Sequence, residues 1–138
     1  MSSGQGAPRA ELFKYLLDRE QLPLFFESVS DDVRWTVLGT HPVSGTFYGK
    51  AELIEGAFRR MDAMMQGSVR LEVREIHDAG DVVVVELVSY ATTRDGQPFD
   101  NTYCWVCRFE DDRIVEVRAY VDSALVAATA ARLEGQEA

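Results

Sequence analysis

The stretch Val82–Asp122, VVVVELVSYATTRDGQPFDNTYCWVCRFEDDRIVEVRAYVD, decides the fold. It reads as three extended segments separated by turn signals only a few residues long, and Val69–Ile76 ahead of it supplies a fourth. Asp95-Gly96 is the strongest of these signals, because a type I′ turn needs positive φ at both central residues and this dipeptide tolerates it. With that pair as a two-residue loop, Arg94 faces Gln97, and counting outward sets Tyr90 against Asn101, Val88 against Tyr103 and Glu86 against Trp105. One face of the ribbon is then expected to hold large rings, an amide and a carboxylate. Apolar walls with a few converging polar groups are what a small-molecule pocket requires.

The segments before the ribbon have helical spacing. Leu12, Phe13, Leu16 and Leu17 predict a first helix over Pro8–Leu17, and Gln21–Ser28 predicts a second, with Pro23 tolerated in its first turn. Ser30-Asp31-Asp32 is expected to lead into a strand over Val33–Leu38. Gly39–Gly49, with its glycines and proline, reads as a loop, and Lys50–Met65 as the longest helix, carrying an apolar stripe from Leu53 to Met65. Ser123–Leu133 is Ala-rich, a terminal helix or a frayed tail. Helices followed by a run of antiparallel strands predict an α+β domain. The expected division is a disordered segment over residues 1–7, one domain over 8–126, and a helix or tail over 127–138.

The chain has 138 residues, enough for one domain with a real core, and a formal net charge of -9. That charge, with no Lys/Arg cluster, argues against nucleic acid or an anionic membrane as a partner. No apolar run reaches the roughly 18 residues of a membrane span. The start, MSSGQGAPRAE, has no apolar signal core, so a cytoplasmic protein is expected. Cys104 and Cys107 lie on one predicted strand and point to opposite faces, which suits two structural thiols. The two histidines and two cysteines show no metal-ligand spacing, and no Gly-rich phosphate loop follows a strand. Neither a metal nor a cofactor is expected.

Ser28–Lys50, SVSDDVRWTVLGTHPVSGTFYGK, and Asp95–Asp122, which closes on Arg118-x-Tyr120-x-Asp122, resemble the SnoaL-like and ketosteroid-isomerase-related branch of the nuclear transport factor 2-like superfamily. The resemblance covers residues 10–126. It implies a cone-shaped fold in which helices and a curved antiparallel sheet enclose an apolar pocket, often with a homodimer through the opposite sheet face. It also implies a small apolar, aromatic or polycyclic ligand and cofactor-free acid/base chemistry such as cyclisation, isomerisation or dehydration, or a binding module with no reaction. Ketosteroid isomerase chemistry itself is not expected, because the family's oxyanion aspartate, base and tyrosine fall on Trp105, Val37 and Phe13. The epoxide hydrolase pattern is also missing, since the second long strand reads Glu86-Leu87-Val88-Ser89.

Three residues are candidates for moving protons. Asp122 matches the aspartate that SnoaL-like cyclases use as acid/base, though it stands where it could instead cap a helix beginning at Ser123. Glu86, if inward beside Trp105, would have a raised pKa; a one-residue slip would turn it to solvent. His41 lies in the loop at the expected mouth and titrates near neutrality. Trp35, Tyr90, Asn101, Tyr103 and Trp105 are the expected ligand contacts, the rings as walls and the amide and hydroxyl as orienting groups.

Overall fold

In a computed structural model, which describes residues 9–134, the ribbon forms the middle of a six-stranded sheet. The expected disorder of residues 1–7 and the last four residues of the expected tail lie outside that range. The strands are β1 (Val29–Val37), β2 (Gly45–Tyr48), β3 (Met65–Asp78), β4 (Val82–Thr93), β5 (Thr102–Glu110) and β6 (Arg113–Val121), in the order β2-β1-β6-β5-β4-β3. Neighbours are antiparallel except β1 and β6, which run parallel and make the sheet mixed. Ser30-Asp31-Asp32 does not precede β1 but lies within it, beside an irregularity between Val29 and Arg34. Gly45–Tyr48, inside the expected loop, is an edge strand on β1.

Residues 9–12 form a helical turn that tightens into a 3₁₀ turn over Phe13–Leu16, followed by a second such turn, Arg19–Gln21. The helices are α1 (Leu22–Glu27), with Pro23 in its first turn; α2, a continuous run through Lys50–Leu53, a π-turn at Ile54–Phe58 and Arg59–Ala63; and α3 (Ser123–Leu133). Among the described residues no helix is long and apolar enough to cross a membrane. The helices cover the concave face, and the buried apolar residues form one large cluster under the N-terminal turns and α2 and a smaller one under α3. Buried Arg9 ties the first turn to the far end of the sheet. Its Nη1 and Nη2 each donate at 2.6 Å, to the carbonyls of Gly80 and Asp111, two residues of the β3–β4 and β5–β6 turns.

The ribbon's register differs from the expectation by one residue. Thr93, not Arg94, faces Gln97: the Thr93 N–H donates to the Gln97 carbonyl at 2.7 Å and the Gly96 N–H to the Thr93 carbonyl at 2.9 Å. The loop is therefore the three residues Arg94-Asp95-Gly96, with Gly96 at φ 88 as such loops require. Leu87 then stands against Tyr103 and Val85 against Trp105, while Glu86 pairs with Cys104. One residue of slip turns every β4 side chain to the other face. Both parities of VVVVELV are apolar, so the strand's own pattern is ambiguous. The observed choice buries Val83, Val85 and Leu87 and leaves the carboxylate of Glu86 in water, avoiding the several kcal/mol that desolvating it unpaired would cost.

Candidate functional site

Between the concave face and the helices lies a cavity of about 570 Å³. Its position follows from the strand alternation: Trp105 and Tyr103 on β5, Ala119 and Val121 on β6, Trp35 and Val37 on β1 all project to the helix side. Leu71 and Val69 of β3 close one wall, and Phe26, Ile54, Ala57, Phe58 and Met61 of α1 and α2 close the other. The π-turn supplies Ile54, Ala57 and Phe58, widening the helix where it meets the cavity. Trp35 stands edge-on to Trp105 at 5.1 Å between ring centroids and to Phe58 at 5.7 Å. Met61 of the apolar stripe and Met65, which opens β3 and does not extend the helix as expected, also line the cavity.

The polar groups of the interior are Asn101, Tyr103 and His41. Asn101 is 1% exposed, and its Oδ1 accepts the N–H of Thr102 at 2.8 Å and of Asp122 at 3.0 Å. Both partners can only donate, so the oxygen is identified and the amide nitrogen is left for its other side. Ser89, fully buried on β4, accepts the Asn101 backbone N–H at 3.0 Å and donates to the Phe99 carbonyl at 3.2 Å. Burial pushes the Tyr103 hydroxyl above its ordinary pKa, while hydrogen bonds with the Ser89 and Asn101 side chains pull it partly back. Ser89 was missed in the sequence. Its signal was parity with Val85 and Leu87, which only the correct register reveals.

The structure places the other expected site residues as follows. Trp35 and Trp105 are cavity walls. Glu86 and Tyr90 face outward instead, because of the register. The Glu86 carboxylate meets His77 Nε2 at 2.7 Å on the exposed face. The Tyr90 hydroxyl accepts from Arg74 at 2.5 Å and donates to Glu72 at 3.2 Å. Asp122 is exposed, and its carboxylate accepts the Leu125 N–H at 3.2 Å as the N-cap of α3. His41 is 4% exposed and lines the cavity, yet both ring nitrogens serve its own loop. Nδ1 accepts the Val43 N–H at 3.2 Å and Nε2 lies 3.2 Å from the Leu38 carbonyl, an arrangement that requires the neutral ring with its proton on Nε2.

Charged side chains at the cavity are confined to the helix side. Arg19 pairs with Asp62 at 3.2 Å, both exposed, and Lys50 Nζ donates to the Phe26 carbonyl at 2.7 Å. Among the described residues no three His, Cys, Asp or Glu side chains converge as a metal cluster would. Cys107 is buried on the inner face and its pKa is driven up by burial; Cys104 lies on the outer face, paired with Glu86 in the ladder.

Comparison with known proteins agrees with this architecture. A family model described as a SnoaL-like domain matches residues 10–117. The dimerizing cyclase phiC of Fungal sp. (strain ATCC 74256) is 32% identical over 108 residues, covering 75% of this chain and 48% of that protein. The dimerizing cyclase tstC of Talaromyces stipitatus is 28% identical over 114 residues, covering 80% of this chain and 51% of that one. The chain thus spans about half the length of these curated relatives. A solved NTF2-like protein from Burkholderia thailandensis superimposes with a TM-score of 0.75 at 25% identity, over 88% of this chain and 95% of its own. With the model match spanning most of the described residues and the same arrangement of helices on a sheet, the chain belongs to the SnoaL-like domain family.

Proposed function

We propose that this chain binds a small, largely apolar, ring-bearing ligand in its cavity and carries out cofactor-independent, cyclase-type chemistry on it. The observation that carries the reading is the 570 Å³ hollow walled by Trp35, Phe58 and Trp105, with Asn101, Tyr103 and His41 among its few polar lining groups. Burying a ring system the size of a tryptophan side chain, about 200 Å², is worth about 5 kcal/mol at 25 cal/mol/Å², against about 1 kcal/mol for one hydrogen bond. The walls therefore supply affinity, and Asn101 and Tyr103 supply orientation. Cyclase relatives that match three quarters or more of the chain support the reaction class. In this reading the acceleration comes from holding a flexible substrate folded and dry, since enclosure alone converts an improbable encounter into an intramolecular one.

A second reading, a binding module without a reaction, is favoured by one observation. Neither Asp122 nor Glu86 faces the cavity, and His41 has no ring nitrogen to spare. One experiment separates the two. Ring-bearing compounds retained by the protein in native mass spectrometry are incubated with it and followed by chromatography. Product formation above the buffer rate, undiminished in Asp122→Asn and Glu86→Gln, is the outcome expected; retained compounds recovered unchanged would leave only the binding module. Pairing of two copies through the outer sheet face belongs to the same proposal. That face carries half-buried Val84, Val88, Cys104 and Val106 and exposed Tyr120.

A further inference from the structure

We infer that Leu17–Leu24 is a lid over the mouth of the cavity, latched to α2 by the Arg19–Asp62 ion pair, and that ligand enters and leaves when this pair parts. This builds on the ligand-binding reading above and adds how that site opens. Exposure locates the mouth. Among the described residues that line the cavity, the exposed ones are Arg19, Pro23, Glu27 and Asp62, whereas His41, Val43, Phe99, Asn101 and Val126 are buried. The way in therefore runs between the Arg19–Glu27 stretch and the end of α2. Across that opening Arg19 Nη2 donates to Asp62 Oδ2 at 3.2 Å.

One bank is pinned and the other is not. On α2, Arg60 Nε and Nη2 bond Glu134 at 2.7 and 2.8 Å, and Nη1 donates to the Pro42 carbonyl at 2.9 Å. Just past Asp62, the Ala63 carbonyl accepts from Arg94 Nη1 at 2.7 Å. Leu17–Leu24, which includes the first turn of α1, lies between buried Leu16 and buried Phe25, and none of its own residues is buried. Among the described residues its hydrogen bonds are local except for Arg19–Asp62. Both side chains of that pair are exposed, by 55% and 43%, so water and salt compete with it and it parts at small cost. Segments with few buried contacts are the ones that open locally. Leu22 and Pro23 line the cavity, so lifting the stretch uncovers the interior.

Stopped-flow mixing with α-tetralone, a neutral fused-ring ketone, tests this through the emission of Trp35 and Trp105, the chain's two tryptophans, which both line the cavity. Asp62→Asn and Arg19→Asp should each raise the association and dissociation rates together by about 2- to 5-fold, the factor such a pair gives, with their ratio nearly constant. Arg19→Asp combined with Asp62→Arg should return both rates toward the wild type. Salt should speed both steps in the wild type and leave Asp62→Asn nearly unmoved, since charge does not steer a neutral probe. Rates unmoved by the single variants, or a change in dissociation alone, would overturn the lid while leaving cavity binding standing. Emission unmoved at every concentration, with no α-tetralone retained in native mass spectrometry, would overturn both.

Discussion

At Asn101 one side-chain oxygen holds two strands' ends in place, taking the Thr102 N–H at the start of β5 and the Asp122 N–H at the end of β6. Replacing it by Ala leaves two part-buried donors unpaired, so Asn101→Ala should lose about 1–3 kcal/mol of unfolding free energy in urea; an unchanged unfolding free energy would mean the amide is not structural. Asp122 shows the opposite economy. Its carboxylate caps α3 from an exposed position, so Asp122→Ala should cost about 1 kcal/mol of stability and leave the affinity for ring-bearing compounds retained in the cavity unchanged. Weakened binding without a stability change would restore it to the cavity. Gly39 matters through space and backbone together. It has φ +127, and a Cβ there would stand 2.5 Å from Ser123 Oγ and 2.8 Å from the His41 ring. Gly39→Ala should cost about 1–3 kcal/mol and displace His41, visible as a shifted imidazole resonance. The sequence made Asn101 legible because an amide inside an aromatic strand demands partners. It could not show that Asp122 is spoken for, since a strand-end aspartate fits a cap and a pocket equally.

The elements are joined by ion pairs whose charge state follows pH. The Arg132 guanidinium, helped by the Thr93 hydroxyl, holds Asp95 at about 2, linking the β4–β5 turn to α3. Arg60 on α2 likewise lowers Glu134 at the end of α3, and Arg34 with Arg108 lowers Glu116 on β6. A carboxylate whose folded pKa is depressed contributes stability above its unfolded value, about 3.9 for Asp and about 4.3 for Glu, and loses it as pH falls through the folded value. The urea midpoint should therefore drop between about pH 4 and pH 2, with a shallower drop in Asp95→Asn. An unchanged slope in that variant would remove the turn–α3 pair from the explanation. The turn itself was visible in Asp95-Gly96, but its length was not, because Thr93 closes it through hydrogen bonds that no dipeptide preference encodes. That single residue decided the inward or outward fate of Glu86 and Tyr90. The strand Gly45–Tyr48 was hidden for a similar reason: it exists by pairing with β1, across glycines that read as loop.

At the scale of the molecule, a mixed curved sheet covered by α1, α2 and α3 lines a hollow in whose wall two tryptophans pack edge to face. The α+β division was legible in the order of elements, and the enclosed pocket in the resemblance that residues 28–50 and 95–122 carry; the parallel pairing of β1 with β6 was not, because the sheet was expected to be antiparallel throughout. The outer face makes a separate prediction. Sedimentation at micromolar concentration should give a dimer, and Val106→Glu, on the face away from the cavity, should give a monomer that still binds α-tetralone, a fused-ring probe; a wild-type monomer would remove the interface. The most direct test of the central claim is a crystal structure of the chain grown with α-tetralone. The account predicts ligand density inside the cavity, packed against the wall that Trp35, Trp105 and Phe58 form. Side chains collapsed into the hollow, or ligand seated only on the outer sheet, would contradict it.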